Sequence, residues 1–414
     1  MKYFDCVVVG GGMVGAASAL TLAQLGLRVA LIEQFEPKPY SSEQNLDLRV
    51  SAISLASQYL LEQVGAWSQV TQWRTCPYKR LGVWEQAYSY TEFNADDIEQ
   101  QQLGHIVENR LIQLALWQKI KTEGNIELFC PYNLTALSQE ESQANLLLKN
   151  IESSAEVGIS SKLVIAADGA NSQVRKIAEI GITSWDYQQS AMLINVKTSE
   201  PQQDITWQQF FPTGPVAFLP LSRKPFTEQE AFTQHNTEQG EASLVWYHQR
   251  DEIKRLSSLS NQQLQQEIMN FFPKRLGTIE VINRGAFPLT RRHANSYQNK
   301  RILLLGDAAH TINPMAGQGV NLGFKDVKAL QTVIANAISD GECWHNVDVL
   351  GRYEEMRRKD NLLMMTTMDA LYHSFSHPSP LVKTLRNVSL LAINKVPFIS
   401  NTIKNKALAY ACGI

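Results

Sequence analysis

The sequence lacks the features that would assign it to several common classes of protein. Its 414 residues contain only five cysteines, with no Cys-x-x-Cys pair and no Cys/His cluster. A disulfide framework and a zinc site are therefore not expected, and a reduced, cytoplasmic location is. Prolines number 15 and glycines 23, too few for a collagen-like or largely disordered chain.

Neither sign of charge dominates, and long apolar runs are also missing. The 38 Lys and Arg residues nearly balance 40 Asp and Glu residues, for a net charge of −2. No basic field therefore indicates a nucleic-acid partner. The apolar stretch 6–32 is interrupted by four glycines and by Gln24 and Arg28, so it is not read as a signal peptide or a span. We predict no transmembrane helix.

What the sequence does contain is the material for a large α/β core. Hydrophobic residues make up 44% of the chain, and its length suggests two or three domains. An apolar run at 6–9 ends in glycines, a small-residue helix pattern follows at 14–25, and 29–32 is a second buried run. This order predicts a strand–helix–strand unit of a parallel sheet.

Further along the chain, the pattern alternates between buried strands and amphipathic helices. We predict helices over 51–65, 109–122 and 319–337, a helical face on residues 264–272, and a mostly helical tail over 341–414. We predict strands at 80–84, 88–93, 163–166 and 301–305, and a hairpin-like pair at 127–137 and 145–149. Short aromatic-rich strands are expected at 191–196, 206–211, 216–221 and 242–247, with an exposed loop at 223–241.

The first motif lies between the first strand and the first helix. Gly10, Gly12 and Gly15 form a G-x-G-x-x-G pattern. This pattern permits a tight turn, a close approach to a pyrophosphate, and close helix–strand packing. Glu33 ends the second strand, where its carboxylate can accept hydrogen bonds from a ribose. Together these features favour a dinucleotide site over a purely structural turn.

The second motif follows the predicted strand at 301–305. It reads Gly306-Asp307-Ala308-Ala309-His310, and the segment from Pro314 to Asn321 then opens a long helix. Asp307 can bind polyol hydroxyls, and the glycines allow the backbone to approach a flat ring. A simple capped loop remains an alternative.

The third motif, Asp168-Gly169 with Arg175, also follows a buried strand. A tight turn in which Asp168 bonds its own backbone remains the alternative here. All three loops are predicted at carboxyl ends of strands. Ligands bind at that edge in open α/β sheets, so one extended ligand could touch all of them.

With these motifs, the sequence resembles the single-component flavin aromatic hydroxylases of the p-hydroxybenzoate hydroxylase-like group. Segments that narrow the resemblance to the ubiquinone-biosynthesis hydroxylases are DLRVSAIS (47–54), VENRLIQLALWQ (107–118), ADGANSQVR (167–175), TWQQFFPTGPVAFLPL (206–221), SLVWY (243–247), GAFPLTRRHA (285–294) and GDAAHTINPMAGQGVNLG (306–323). The resemblance covers almost the whole chain. It implies FAD as the bound cofactor, NAD(P)H as the reductant, O2 as co-substrate, and hydroxylation of a polyprenylated quinol ring.

The resemblance and the motifs together give a set of cofactor-binding residues. The set is Gly10, Gly12, Met13, Val14, Gly15, Glu33, Arg49, Arg110, Asp168, Asp307, Pro314, Gly317, Gly319, Val320 and Asn321. The glycines would meet the pyrophosphate, Glu33 the ribose, Arg49 the FAD phosphates and Asp307 the ribityl chain. Arg110 matches a position near FAD. Residues 314–321 would lie beside the isoalloxazine ring.

The implied fold is α/β. It combines an FAD-binding, Rossmann-like parallel sheet with an interleaved mixed or antiparallel substrate-domain sheet and a helical C-terminal tail. We expect the FAD-binding domain to comprise 1–71, 101–180 and 286–340, and the substrate domain to comprise 72–100 and 181–285. Residues 341–414 would form the C-terminal helical region.

Two assignments stay open at the level of sequence. His310 lies beside the flavin loop and is a candidate proton donor, but such a histidine more often satisfies loop backbone groups. Trp207, Phe210, Phe218 and Trp246 could wall a dry pocket, or they could be ordinary sheet core.

The tail is open as well. Residues 370–414 contain five Lys or Arg residues and no Asp or Glu. This segment could dock on a membrane surface or on a partner of a biosynthetic complex, which would make the protein peripherally membrane-associated. It could equally be a helical cap on the catalytic domain.

Three other functions also remain open. The chain could be a sibling hydroxylase acting on another ring position or on a soluble phenol, an NAD-dependent dehydrogenase, or a flavin-binding assembly subunit without turnover.

Overall fold

The computed structural model describes residues 1–225, 239–312, 319–377, 379–395 and 404–414. Its strands are β1 (Lys2–Val9), β2 (Val29–Ile32), β3 (Val50–Ser54), β4 (Cys76–Tyr78), β5 (Arg80–Trp84), β6 (Thr91–Asn94), β7 (Gly104–Glu108), β8 (Ile126–Phe129), β9 (Tyr132–Gln139), β10 (Ala144–Asn150), β11 (Glu156–Ala166), β12 (Ile182–Pro201), β13 (Ile205–Gln209), β14 (Val216–Leu221), β15 (Gln239–Gln249), β16 (Ile279–Ala294), β17 (Gln298–Asn299), β18 (Ile302–Leu304) and β19 (His310–Thr311).

The helices are α1 (Met13–Gln24), α2 (Leu55–Gln63), α3 (Trp67–Trp73), α4 (Asn109–Ile120), α5 (Gln173–Ile177), α6 (Arg250–Ser258), α7 (Asn261–Phe271), α8 (Gly319–Ser339), α9 (Val347–Ser376), α10 (Pro380–Lys395) and α11 (Asn405–Cys412). Short 3-10 turns lie at Ala87–Ser89, Ala95–Ile98, Lys274–Leu276 and Gly306–Ala308.

The first sheet has the strand order β17-β18-β11-β1-β2-β8. Strands β18, β11, β1, β2 and β8 run parallel to their neighbours, while β17 pairs antiparallel with β18 and the β9–β10 hairpin joins β11. The central strands are apolar on both faces, because helices including α1, α4 and α8 pack against the sheet. The predicted parallel sheet is therefore confirmed.

The second sheet has the order β19-β16-β12-β15-β14-β13-β5-β6 and is antiparallel except for the β13–β5 pair. Helices α6 and α7 cover one face of it through a core that includes Ile253, Leu256, Leu264 and Ile268. A third, small sheet has the strand order β3-β7-β4. This mixed α/β architecture is the fold class expected from the sequence.

Three local expectations are wrong. Residues 51–54 form strand β3, which pairs with β7, and helix α2 starts only at Leu55 behind the N-cap Ser54. Residues 87–89 form a 3-10 turn, so the strand expected at 88–93 begins at Thr91. The hairpin consists of β9 and β10, whereas 126–129 pairs in parallel with β2. Pairing with a distant strand decides the first and third cases, whereas a local capping box between Gln86 and Ser89 forms the 3-10 turn.

The described part of the C-terminal region is mostly helical, as predicted. Helix α9 spans 30 residues, followed by α10 and α11. In the part of the chain that the structure describes, no helix has the length and apolar character needed to cross a bilayer. The stretch 226–238, within the loop expected at 223–241, lies outside the described residues.

Candidate functional site

The site lies where four neighbouring strands of the first sheet end. In the order β18-β11-β1-β2, the strand ends lead to Asp307, Asp168, Gly10 and Glu33. All four strands are parallel, so these ends share one edge. The structure thus brings together loops that lie nearly 300 residues apart in sequence.

The glycine loop has the geometry that its sequence predicts. Gly10 adopts φ +106°, and a Cβ atom there would collide with the backbone of Ala167. A Cβ on Gly15 would overlap the Gly10 carbonyl, so helix and strand are in direct contact. At Gly12 a Cβ would meet no atom within 4 Å, and no side chain caps the α1 N-terminus. This open, positively polarised helix end is suited to a phosphate.

Two residues of helix α4 that the sequence analysis did not identify donate hydrogen bonds to this loop. From helix α4, Trp117 Nε1 and Gln113 Nε2 donate to the Gly11 carbonyl at 2.7 and 2.9 Å. Trp117 is buried. No motif marks them, because their role arises only when α4 packs on the loop. Their i, i+4 spacing on one helix face was the single available signal.

Glu33 closes the loop from the neighbouring strand. One carboxylate oxygen accepts from the Gly11 N–H at 2.6 Å, and the other accepts from the N–H groups of Gln34 and Phe35. The carboxylate therefore lies directly beside the glycine turn. The oxygen that accepts from Gly11 has only this one bond among the described residues, so it retains acceptor capacity for a ribose hydroxyl.

Asp168 forms the turn of the structural alternative with one oxygen and leaves the other oxygen without a partner in the part of the chain that the structure describes. Its Oδ2 accepts from the N–H groups of Gln173 and Val174 at 2.7 and 3.1 Å, as in the structural alternative. Its Oδ1 is buried and has no partner among the described residues. Nearby Arg175 donates to the Ala308 carbonyl at 2.7 Å, which ties the Asp168 loop to the Asp307 loop.

Asp307 projects into open space from the neighbouring turn. Its side chain is exposed, and no described residue hydrogen-bonds to it. The surrounding protein raises the pKa of this carboxyl, while His310, Arg49 and Arg292 oppose the rise. The exposed Arg49 therefore lies close enough to act on Asp307 electrostatically.

Arg110 is engaged with protein rather than aimed at open space. Its guanidinium donates to Asp47 at 3.0 Å, to the Lys38 carbonyl at 2.8 Å, and to Gln44. It orders the segment that leads to Arg49. The buried pair of Arg74 and Glu108 supports the same segment, because Glu108 accepts from the Asp47 N–H at 2.6 Å.

The segment around the start of α8 is only partly described. Pro314 and Gly317 lie outside the described residues. Gly319 and Val320 begin α8, and the Asn321 side chain bonds Ser54, Ser57 and Ala52 instead of reaching outward. Val14 fits closely against Gly306 and Gly323, so it joins the α1 N-terminus to this segment, and Met13 packs against the core of the first sheet.

Among the described residues, the side chain of His310 bonds a buried carboxylate and not the loop backbone groups that the alternative reading named. Its ring is buried, and Nε2 lies 2.6 Å from Asp326 Oδ2. Trp207, Phe218 and Trp246 belong to the core under α6 and α7, as in the sheet-core alternative, and Phe210 stacks on Phe375.

These features fit FAD. The open space at Gly12, the uncapped end of α1, the unpartnered buried oxygen of Asp168 and the free carboxylate of Asp307 line one sheet edge. The space at Gly12 and the helix dipole of α1 suit a pyrophosphate. The oxygens of Asp168 and Asp307 can accept hydrogen bonds from hydroxyl or ring N–H groups. Among the described residues, no His, Cys, Asp and Glu cluster could hold a metal ion.

The fold and the site define a flavin-binding protein, and comparison with known proteins agrees. The profile of the FAD binding domain family matches residues 3–365. The chain belongs to this family. The expectations of an FAD cofactor and of an FAD-dependent hydroxylase are confirmed, with NAD(P)H as the reductant typical of the group.

Individual relatives are more specific. The chain is 44% identical to 3-demethoxyubiquinol 3-hydroxylase of Escherichia coli over 410 residues, which covers 99% of this chain and 98% of that protein. It is 30% identical to the ubiquinone biosynthesis monooxygenase COQ6 of Danio rerio, covering 99% and 90% of the two chains. The family resemblance inferred from the sequence is thus confirmed.

Solved structures support the fold. The crystal structure of p-nitrophenol 4-monooxygenase PnpA from Pseudomonas putida superposes with a TM-score of 0.77 at 18% identity and covers 99% of both chains. At this level of identity the similarity concerns the fold alone.

Proposed function

We propose that this protein hydroxylates the ring of a polyprenylated quinol in ubiquinone biosynthesis, using FAD, NAD(P)H and O2. The observation that carries the proposal is the convergence of Gly10, Glu33, Asp168 and Asp307 at one sheet edge. The substrate class comes from the similarity to the 3-demethoxyubiquinol 3-hydroxylase of Escherichia coli. We therefore propose a 3-demethoxyubiquinol as the substrate.

Bound FAD would supply the redox chemistry between the nicotinamide and O2, and the chain would supply binding, orientation and exclusion of water. The N-terminus of α1 would face the pyrophosphate, with Arg49 near the phosphates. Glu33 would accept from the adenosine ribose and Asp307 from the ribityl hydroxyls. No catalytic acid or base is assigned, because a quinol ring is already electron-rich.

The substrate ring would lie on the face of the second sheet opposite α6 and α7. That face carries the half-buried side chains Leu193, Leu219 and Phe287. On the same face, Asn195 donates to the Leu46 and Asp47 carbonyls. This face is thereby joined to the segment leading to Arg49, so an apolar surface lies next to the proposed flavin site.

We propose that the domain division expected from the sequence follows the two sheets, except that 286–294 of β16 and strand β19 pair within the second sheet. The FAD-binding domain would comprise 1–71, 101–180 and 286–340, and the substrate domain 72–100 and 181–285. The parallel sheet draws its strands from the first set, and the α6/α7-covered core lies in the second.

Product analysis tests the reaction. Purified holoprotein, a short-chain 3-demethoxyubiquinol, NADH or NADPH, and isotopically labelled O2 should give a quinol one labelled oxygen heavier, in proportion to nicotinamide oxidised. A strain lacking the protein should accumulate the 3-demethoxy intermediate by mass spectrometry. Accumulation of a less oxygenated phenol would indicate another ring position, and oxidation without product would contradict the proposal.

We further propose that the outer face of α10 docks on the cytoplasmic surface of a membrane. Leu381, Leu385 and Val388 are spaced i, i+4 and i+7, and 69%, 59% and 54% of their surfaces are exposed. Lys383 is exposed beside them, and 370–414 contains no acidic residue. An exposed apolar stripe beside a lysine suits an anionic bilayer.

The inner face of the same region contacts the rest of the protein. The tail would therefore act as a helical cap on its inner face and as a docking surface on its outer face. Arg386 and Asn387 bond the buried Glu85, with Arg386 Nε at 2.7 Å, and Lys404 pairs with Asp97 at 2.9 Å. A membrane location also suits the substrate. At about 0.8 kcal/mol per apolar carbon, each five-carbon isoprene unit favours the bilayer by roughly 4 kcal/mol.

Vesicle flotation tests this surface. Holoprotein should float with vesicles containing anionic phospholipid, and the Leu381→Glu/Leu385→Glu double variant should remain in solution. Leu363→Glu, a change at an exposed leucine of α9, is the matched control. Failure of the unaltered protein to float, or equal loss in the control, would contradict membrane docking and leave a protein partner as the occupant to seek.

A further inference from the structure

A single buried carboxylate connects the Asp307 turn (306–310) to the C-terminal helices. Asp326 of α8 is fully buried. Its Oδ2 accepts from the Gly306 N–H at 3.0 Å and from His310 Nε2 at 2.6 Å. Its Oδ1 accepts from Arg357 Nε at 2.8 Å and Asn361 Nδ2 at 3.2 Å. Both oxygens of one side chain are therefore fully engaged.

The two donors on Oδ2 bracket Asp307. Gly306 precedes it and His310 follows it by three residues, so both ends of the turn are fixed to the same oxygen. Gly306 has φ +56°, and a Cβ atom added there would lie 3.2 Å from the Val14 side chain of α1. The turn is thus held between α1 and α8 while the Asp307 carboxylate itself points away, exposed and without a hydrogen-bond partner among the described residues.

The donors on Oδ1 come from α9, outside the motifs found in the sequence. Tyr353, Arg357 and Asn361 lie four residues apart on one helix face. Tyr353 bonds the Leu304 carbonyl at 3.0 Å, at the end of the strand that carries the loop. One turn further, Met364 and Met365 pack with Ile312 and Leu322. Helix α9 thus contacts the strand before the loop and both sides of 313–318.

The energetics make this carboxylate costly to alter. An ionised group removed from water is tolerated only when charged partners and hydrogen bonds compensate it. His310 and Arg357 provide that compensation: burial would raise the pKa of Asp326, and they lower it below its usual value. A neutral hydrophobic contact could fasten α8 to α9 equally well, but it could not accept from both ends of the Asp307 turn.

We propose that Asp326 and Arg357 are positioning residues for the cofactor: they hold the Asp307 turn in its FAD-binding geometry before FAD arrives. The inference rests on the assignment of Asp307 to the ribityl chain. A preformed site spares the binding step the entropy of ordering the turn. We call Asp326 and Arg357 the clamp of this turn. Losing either residue of the clamp should therefore weaken FAD binding and alter the flavin environment, beyond any effect on folding.

The test compares Asp326→Asn and Arg357→Lys with a matched control, Asp360→Asn. Asp360 also pairs with Arg357, at 2.5 Å, but has no bond to the loop. Apoprotein of each variant is titrated with FAD, and the visible spectrum and midpoint potential of the bound flavin are recorded. We expect the FAD Kd to rise 10- to 100-fold (about 1.4–2.8 kcal/mol) for the first two variants, with a shifted spectrum and potential, and less than threefold for the control.

Two results would overturn the proposal. One is an FAD Kd within threefold of the unaltered protein, together with an unchanged flavin spectrum, in both Asp326→Asn and Arg357→Lys. The other is an equal loss of affinity in Asp360→Asn, which would show a general effect of disturbing Arg357. If Asp326→Asn does not fold, Arg357→Lys, which keeps the positive charge, decides the question alone. If Asp307→Ala leaves FAD binding intact while the clamp variants lose it, the ribityl assignment fails instead.

Discussion

At the scale of single residues, the site depends on side chains that the protein leaves without partners. Most polar groups near the sheet edge are satisfied internally, as the bonds of Glu33, Arg110 and Asn321 show. Asp307 and one oxygen of Asp168 have no hydrogen-bond partner among the described residues. Buried or enclosed polar atoms without partners are costly unless a ligand completes them.

Replacement of Asp307 by alanine should weaken FAD binding 10- to 100-fold, since a hydrogen bond to a charged group contributes about 1.5–3 kcal/mol. The change removes an exposed side chain with no protein partner, so the apoprotein should fold normally. Flavin content after purification and FAD titration of the apoprotein measure the effect. Asp340→Ala, an exposed aspartate at the end of α8, is the control. Unchanged flavin content would contradict the role of Asp307.

His105 gives a prediction for stability against pH. Burial lowers the pKa of His105 from 6.5 to about 3. Between these values the unfolded chain binds a proton that the folded protein does not, so stability is complete above pH 6.5 and falls as the pH decreases. His105→Phe, which keeps a ring against Trp67, should flatten the slope by about 1.4 kcal/mol per pH unit. Denaturant unfolding at pH 5, 5.5 and 6 measures it; an unchanged slope would exclude this contribution.

At the scale of elements, the contact between the glycine loop and α1 separates packing from ligand binding. A Cβ on Gly15 would overlap backbone, whereas one on Gly12 would enter open space. Gly15→Ala should therefore lower the free energy of unfolding by about 1–3 kcal/mol. Gly12→Ala should leave it within about 0.5 kcal/mol and still raise the FAD Kd at least tenfold. Chemical denaturation and FAD titration of both variants give the comparison. Normal FAD binding by Gly12→Ala would contradict the pyrophosphate assignment.

The sequence predicted these elements well where the determining interactions are local. The unit of β1, α1 and β2 follows from apolar runs and glycines, and β2 was placed at its observed bounds. Residues 51–54 were misassigned, because pairing with β7 more than 50 residues away makes them a strand. All three motif loops were correctly placed at strand ends. Gln113, Trp117 and Asp326 were missed, because their roles exist only once distant helices meet those loops.

At the scale of the whole molecule, helix α9 links parts that are otherwise separate in sequence. Its Arg357 and Asn361 bond Asp326, the carboxylate that holds the Asp307 turn. It also contacts the second sheet through Asp369, which pairs with Tyr187 and Arg291. Helix α10 then joins the buried Glu85 through Arg386, 301 residues away in sequence. Truncating the tail would leave Glu85 buried without its cation, so substitutions on the outer face of α10 are the cleaner probe.

Removal of FAD should destabilise the whole protein. A ligand that binds only the folded state at 100 times its Kd adds about 2.7 kcal/mol, which for a chain of this size corresponds to a rise in Tm of about 3 °C. Thermal unfolding of apoprotein and of apoprotein reconstituted with FAD measures the difference. An identical Tm with flavin demonstrably bound would mean that the site lies outside the cooperative unit.

The order of strands at the sheet edge also has a consequence for biosynthesis. The first glycine of the site is made within the first dozen residues, but strand β18, which leads to Asp307, and helix α9 follow only after residue 300. At roughly 5–20 residues per second, the ribosome needs about 15–60 s to deliver them. We expect that a nascent chain cannot capture flavin until its translation is nearly finished, and that prematurely terminated chains emerge colourless.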